Sequence, residues 1–157
     1  MTRLIPASAR RCAPPADDAV RQASGALEIA TSGQRLYEFT RVVVRWLAEQ
    51  PVETGLLTLF CRHTSASLLI QENAAPEVKD DLLAFFARLA PESAAYRHDD
   101  EGPDDMPAHI KTALTQVSLS IPIVDGQIGL GTWQGLYLFE HRRQPQRRSI
   151  LLHLIGD

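Results

Sequence analysis

His63 stands where an apolar stretch, Gly55-Leu-Leu-Thr-Leu-Phe-Cys61, runs into Thr64-Ser65-Ala66-Ser67. An imidazole at a strand end beside three hydroxyls can serve as a general base, ligate a metal or donate to a phosphate. It can equally be a histidine hydrogen-bonded into a turn. Asp105 and His109 are four residues apart in a stretch that reads as helix, so their side chains share one face. Asp104 lies one position earlier, and His98 precedes both by a short acidic loop able to fold back over the helix start. Imidazole and carboxylate donors suit zinc or another divalent ion, and a carboxylate can also orient a ligand histidine from behind. The alternative makes Asp105 a helix cap and His109 a surface residue, and the spacing matches no recognised zinc signature.

Other features carry weaker chemistry. Trp133-Gln134 follows Gly129-Leu-Gly131-Thr132, where small residues allow close approach of a ligand or a second subunit, although Trp133 can also be core. Glu140-His141-Arg142 ends a strand and can reach the same region. Asp99-Asp100-Glu101 reads as a solvated loop edge. The four arginines Arg142, Arg143, Arg147 and Arg148 read as an exposed turn in a last hairpin, protecting a sheet edge. Gly126-Gln-Ile-Gly129-Leu-Gly131 leads into a strand rather than a helix, so it forms no dinucleotide cradle. Neither a phosphate loop with its lysine nor a Gly-x-Ser-x-Gly elbow is present.

These groups must be positioned by a small set of elements. Leu27 and Ile29 alternate with polar neighbours, Ser32-Gly33-Gln34 marks a turn, and Leu36 to Phe39 follows, together predicting a hairpin. Thr40 can cap a helix running through Glu49. Strands are expected over 55–61, 66–70, 117–123, 127–130, 135–139 and 149–155. Pro76 to Ala90 reads as a helix with Val78, Leu82, Phe85 and Leu89 on one stripe and Asn73 as a cap upstream. Asp104-Asp105-Met106-Pro107 starts another helix that ends near Leu114. Helices and strands mix without a βαβ rhythm, which predicts an α+β fold with a mostly antiparallel sheet and two or three helices. Residues 1–24 lack periodicity and read as a flexible arm, leaving 25–157 as one domain.

The 157 residues fit one domain, and 45% hydrophobic with 22% charged residues is an ordinary soluble mixture. A net charge of −3 argues against nucleic acid as a partner. Lys79 and Lys111 are the only lysines among 16 basic residues. Cys12 and Cys61 form no Cys-x-x-Cys pair, so neither a zinc ribbon nor a redox pair is encoded. No apolar run approaches the roughly 20 residues needed to span a bilayer. The basic N-terminus has no apolar signal core, so a cytoplasmic protein is expected.

Three blocks occur together in this order: His63-Thr-Ser-Ala-Ser with Gln71-Glu72-Asn73 and Pro76-x-Val78; Tyr96-x-His98 with Gly102-Pro-Asp-Asp-Met-Pro-Ala-His109; and Gly129-Leu-Gly-Thr-Trp-Gln-Gly135 with Glu140-His-Arg142. From Ala26 to Gly156 the chain closely resembles the YjbQ-like family, often labelled secondary thiamine-phosphate synthase. One departure is Ala74-Ala75-Pro76, where relatives commonly carry an acidic residue before the proline. The resemblance implies a compact α+β subunit with β-sandwich-like sheets, assembled as a homotrimer, and a weak coupling of an aminopyrimidine pyrophosphate with a thiazole phosphate. It further implies that His63, Asp104 and His109 act catalytically. A divalent metal, zinc or magnesium, or a phosphate would sit on His63, His98 and His109, and Glu72, Asn73, Trp133 and Gln134 would bind a small phosphorylated metabolite. A metal-dependent enzyme on another phosphorylated metabolite, or a non-catalytic trimeric binding protein, remains open on the same residues.

Overall fold

Apolar and polar side chains alternate along most strands, and each alternation delivers one buried face. In β2 (Arg21–Thr31) residues 25, 27, 29 and 31 are buried, and in β9 (Gln146–Gly156) every second residue from Arg148 to Leu154 is. These two long strands pair antiparallel over their whole length in the computed structural model, which describes residues 2–5 and 20–157. They belong to a six-stranded sheet completed by β1 (Thr2–Ile5), β4 (Gly55–Cys61), β6 (Ser118–Val124) and β7 (Gln127–Ile128), in the order β1-β2-β9-β4-β6-β7. A second sheet has the order β3-β8-β5, from β3 (Arg35–Glu38), β5 (Ala66–Glu72) and β8 (Gln134–Glu140). All pairings are antiparallel.

The main core lies between the sheets, with Leu27, Ile29, Leu57, Leu59, Ile121, Leu152 and Leu154 from the larger and Leu68, Leu136 and Leu138 from the smaller. Helix α1 (Thr40–Leu47) closes one side through Val43, Trp46 and Leu47. Helix α2 (Pro76–Leu89) covers the other face of the small sheet, where Leu82, Leu83 and Phe86 pack on Leu36, Tyr137 and Phe139. Helix α3 (Asp105–Leu114) lies against β5. The fold is α+β with antiparallel sheets. Among the described residues no helix is long and apolar enough to cross a membrane.

Several local expectations are corrected. Neither predicted hairpin forms, because β2 and β3 lie in different sheets and so do β8 and β9. The turn at Ser32-Gly33-Gln34 is real, with Gly33 at φ +128°, but it carries the chain across the sandwich. Alternation marks a half-buried strand and is silent on which strand it pairs with. The apolar stripe of α2 is rotated: Phe85 and Leu89 are half exposed, and Leu82, Leu83 and Phe86 face the sheet. Ala75 takes the N-cap position of α2, with Pro76 in its first turn, and Asn73 instead donates to the Gln134 carbonyl at 3.4 Å. The arm predicted for 1–24 is described only in part. Residues 2–5 pair with β2 and residues 21–24 belong to β2, while 6–19 lie outside the described residues.

Candidate metal centre

Helix α3 begins at Asp105, so Asp105 and His109 fall one turn apart on the same face. The polar segment before the helix carries His98 back over this turn, with its ring centroid 5.3 Å from that of His109. His98 Nε2 lies 2.9 Å from Asp105 Oδ2, and His109 Nε2 lies 3.6 Å from Asp105 Oδ1. One ligand atom from each of the three residues falls within 4.8 Å of the others. Asp105 is fully buried beneath the two more open imidazoles.

Asp105 and His109 are held from behind. His109 Nδ1 lies 3.0 Å from the Thr64 carbonyl, which can only accept, so Nδ1 carries the proton. The neutral ring then turns the lone pair of Nε2 toward a carboxylate. Two acceptors facing each other require a cation between them, either a proton or a metal ion. Arg142 Nη1 donates to Asp105 Oδ1 at 2.5 Å and sets the plane of that carboxylate. Asp105 Oδ2 is buried and makes no aligned hydrogen bond among the described residues, which leaves a lone pair available. An imidazole oriented by a carbonyl and a carboxylate oriented by an arginine are what a metal ligand set requires.

Asp104 lies outside the three-residue group and is engaged by two arginines. Its Oδ2 accepts from Arg142 Nε at 3.2 Å and from the Arg143 backbone N–H at 2.8 Å. Burial alone would raise its pKa, but the Arg143 N–H and the Arg142 guanidinium outweigh that and hold the carboxyl below its ordinary range. Arg142 also binds the Glu101 carboxylate and carbonyl. The arginines predicted as an exposed turn therefore divide: Arg142 and Arg148 are buried, while Arg143 and Arg147 are exposed. Arg148 is paired with the inaccessible Glu140, which also accepts from Thr31. A guanidinium is buried only where carboxylates meet it, and pairing of that kind is invisible to local pattern.

His63 stands outside the cluster. Its Nε2 accepts the Ser149 backbone N–H at 2.7 Å, so that atom is taken. Burial first, then Arg148, push its pKa below the ordinary value. His63 and His109 nevertheless line one open cleft of about 760 Å³ with Phe60, Arg62, Thr112 and Val117. Glu72, Trp133 and Gln134 line a separate hollow of about 440 Å³ at the other end of β5, and Asn73 sits beside it. The seven residues of β5 span roughly 20 Å, so within one subunit these side chains do not meet the imidazoles.

His141 escaped the sequence reading as a structural group. It is inaccessible, with Nε2 2.9 Å from Ser67 Oγ and Nδ1 without a partner among the described residues. Burial, Lys111 and Arg148 lower its pKa to about 3. Ser67 is equally inaccessible, so this hydroxyl–imidazole pair cannot reach a substrate. Cys61, also buried, donates to the Ala66 carbonyl, and burial raises its thiol to about 11, which removes it as a nucleophile.

The profile of the family described as UPF0047 protein YjbQ-like matches residues 25–157. The chain belongs to the YjbQ family. A UPF0047 protein of Synechocystis sp. is 53% identical over 138 residues, covering 87% of this chain and 94% of the relative. The YjbQ protein of Escherichia coli O157:H7 is 42% identical, covering 83% and 96%. Among solved structures, a conserved hypothetical protein from Thermus thermophilus matches with a TM-score of 0.71 at 35% identity, over 80% of this chain and 96% of that one. A YbjQ-like protein of unknown function from Sulfolobus solfataricus matches with a TM-score of 0.77 at 20% identity, over 87% and 100%, a likeness that speaks for the fold alone. YjbQ membership accounts for the three sequence blocks and the fold, and it leaves the chemistry to be argued from the site.

Proposed function

We propose that this YjbQ protein is a metal-dependent enzyme acting on a small phosphorylated metabolite, with the cation held by His98, Asp105 and His109. The observation that carries this is the convergence of two imidazoles on the buried Asp105 carboxylate: the His109 Nε2 lone pair faces Oδ1, and Oδ2, which makes no aligned hydrogen bond among the described residues, lies beside His98 Nε2. The surrounding charge agrees with it. Glu92, Glu101, Asp104 and Asp105 lie with Arg142, Arg143 and Lys111, one carboxylate more than the cations. Two imidazoles and one carboxylate favour zinc or a similar first-row ion over magnesium, which prefers oxygen ligands.

A bound divalent ion supplies Lewis acidity to oxygens that gain charge as a bond breaks. The chain's residues do the rest: Arg142 holds the Asp105 carboxylate in plane, the Thr64 carbonyl fixes the His109 tautomer, and the cleft beside His109 admits a small molecule. For thiamine-phosphate formation, a carbon–nitrogen bond forms to the thiazole nitrogen as the carbon–oxygen bond to pyrophosphate breaks. Stabilising the departing pyrophosphate oxygens is the task such a site could perform. That coupling is the first reaction to assay. Homotrimeric assembly is part of the same proposal, supported by the apolar pairs Leu56–Ile155 and Phe60–Leu151 on the outer face of the larger sheet.

Elemental analysis of protein purified without chelator or nickel tests the metal directly. About one divalent ion per chain is expected, falling at least tenfold in His98→Ala and His109→Ala and retained in Glu72→Gln. A metal-free wild-type protein that also fails to take up zinc on dialysis would overturn the proposal.

A further inference from the structure

Two side chains on the wall of the cleft beside His109 have hydrogen-bonding capacity that the protein does not use. The first is His63. Its Nε2 accepts a backbone N–H, so the neutral ring must carry its proton on Nδ1, and Nδ1 makes no hydrogen bond among the described residues. The burial and the nearby Arg148 that disfavour the imidazolium keep the ring in this donor–acceptor form. The second is Thr112, one turn beyond His109 on α3 and more than nine-tenths buried. A helical threonine commonly bonds back to the carbonyl four residues earlier, yet Thr112 Oγ1 has no partner among the described residues. A buried hydroxyl left unsatisfied costs stability unless something else meets it.

Both residues line the cleft, together with Arg62, whose exposed side chain brings a guanidinium to the rim. Phe60, Ala113 and Val117 supply an apolar wall in the same cleft. The donors come from different elements, the end of β4 and the last turns of α3, and so approach from different directions. Donors converging from several sides suit a tetrahedral oxyanion better than a planar one.

We infer that this wall is the oxyanion subsite of the enzyme: His63 Nδ1–H, Thr112 Oγ1–H and Arg62 receive the phosphoryl group of a phosphate monoester whose apolar body lies along Phe60, Ala113 and Val117. The inference builds on the cation site proposed above, to which His63 does not belong. His63 is a substrate-binding donor, and a cation held at His98, Asp105 and His109 would supply Lewis acidity beside it. Thr112, which no sequence pattern singles out, becomes a residue that selects for a phosphoryl group. The hollow at Glu72 and Trp133 then has no part in holding that phosphoryl group within the same subunit, because β5 separates the two.

Calorimetric titration of the zinc-loaded protein with phenyl phosphate, with phenol as the control, tests this. Thr112→Val keeps the shape of the side chain and removes the hydroxyl, and His63→Gln keeps an acceptor for the Ser149 N–H. Each is expected to weaken phenyl phosphate binding tenfold or more, to leave phenol binding within twofold, and to retain one zinc per chain. Unchanged affinity in both variants, or no phenyl phosphate binding by the wild type, would overturn the subsite. Loss of zinc in His63→Gln would return His63 to the ligand set and overturn its assignment as a donor. If the wild type takes up no zinc yet both variants weaken phenyl phosphate binding, the cation site fails and the oxyanion subsite stands.

Discussion

Burial has opposite consequences for the histidines of this molecule. His98 and His109 keep open surface beside a buried carboxylate, whereas His141 is sealed between Ser67 and Phe139 with one ring nitrogen unpaired among the described residues. Sealing an imidazole disfavours its charged form, so the folded pKa of about 3 lies well below the unfolded value of 6.5. Above pH 6.5 neither state holds the proton and the contribution of His141 to stability is fully present. As pH falls from 6.5 toward 3 the unfolded chain takes up a proton that the folded chain refuses, and that stability is lost at up to about 1.4 kcal/mol per pH unit. His63, also depressed by burial, adds to the same slope. Urea unfolding at pH 7.0, 6.0 and 5.0 should show the decline, and His141→Gln should flatten it. An identical slope in the variant would show that another group carries the effect. None of this was legible locally, since Glu140-His141-Arg142 reads as the polar end of a strand until the second sheet closes over it.

At the scale of elements, α2 shows how far a periodic pattern reaches. Its length and amphipathic character follow from apolar residues recurring every three or four positions. Two adjacent stripes satisfy that spacing, one through Phe85 and Leu89 and one through Leu82, Leu83 and Phe86. The small sheet selects the second, where Phe86 meets Phe139 edge-to-face with centroids 5.3 Å apart. Phe86→Ala should therefore cost about 2–3 kcal/mol, and Phe85→Ala less than about 1 kcal/mol, because a half-exposed ring loses little on truncation. Chemical denaturation of the two variants side by side checks this, and a larger loss for Phe85 would mean that the helix is turned the other way or that a second copy covers that ring.

For the molecule as a whole, the outer face of the larger sheet is the open question. Leu56, Phe60, Leu151 and Ile155 are each about two-fifths exposed and stand in cross-strand pairs, with Val124 nearby on β6. Apolar side chains gathered in one patch mark an interaction surface more often than singly scattered ones do. If this face joins the copies of the proposed homotrimer, light scattering should give three times the chain mass for the wild type. Leu151→Lys together with Ile155→Lys should then give a monomer that keeps its zinc, because neither residue lines the cleft beside His109. A trimer unchanged by the double substitution would move the contact elsewhere, with the exposed Trp133 loop the next candidate.

Strand and helix positions, the antiparallel α+β character and the shared face of Asp105 and His109 all follow from side-chain periodicity, which acts over a few residues and so is written along the chain. Three blocks of residues also suffice to recognise the YjbQ family. Pairing is a different matter. Which strands share a sheet, which arginine meets which carboxylate, and whether Asp104 or Asp105 stands between the imidazoles depend on contacts between residues tens of positions apart. Arg142 reaches back 37 residues to Asp105, and the Thr64 carbonyl that sets the His109 tautomer lies 45 residues away from it. The energy of a buried charge turns on whether its partner arrives, and the partner is delivered by chain crossings that local pattern does not record.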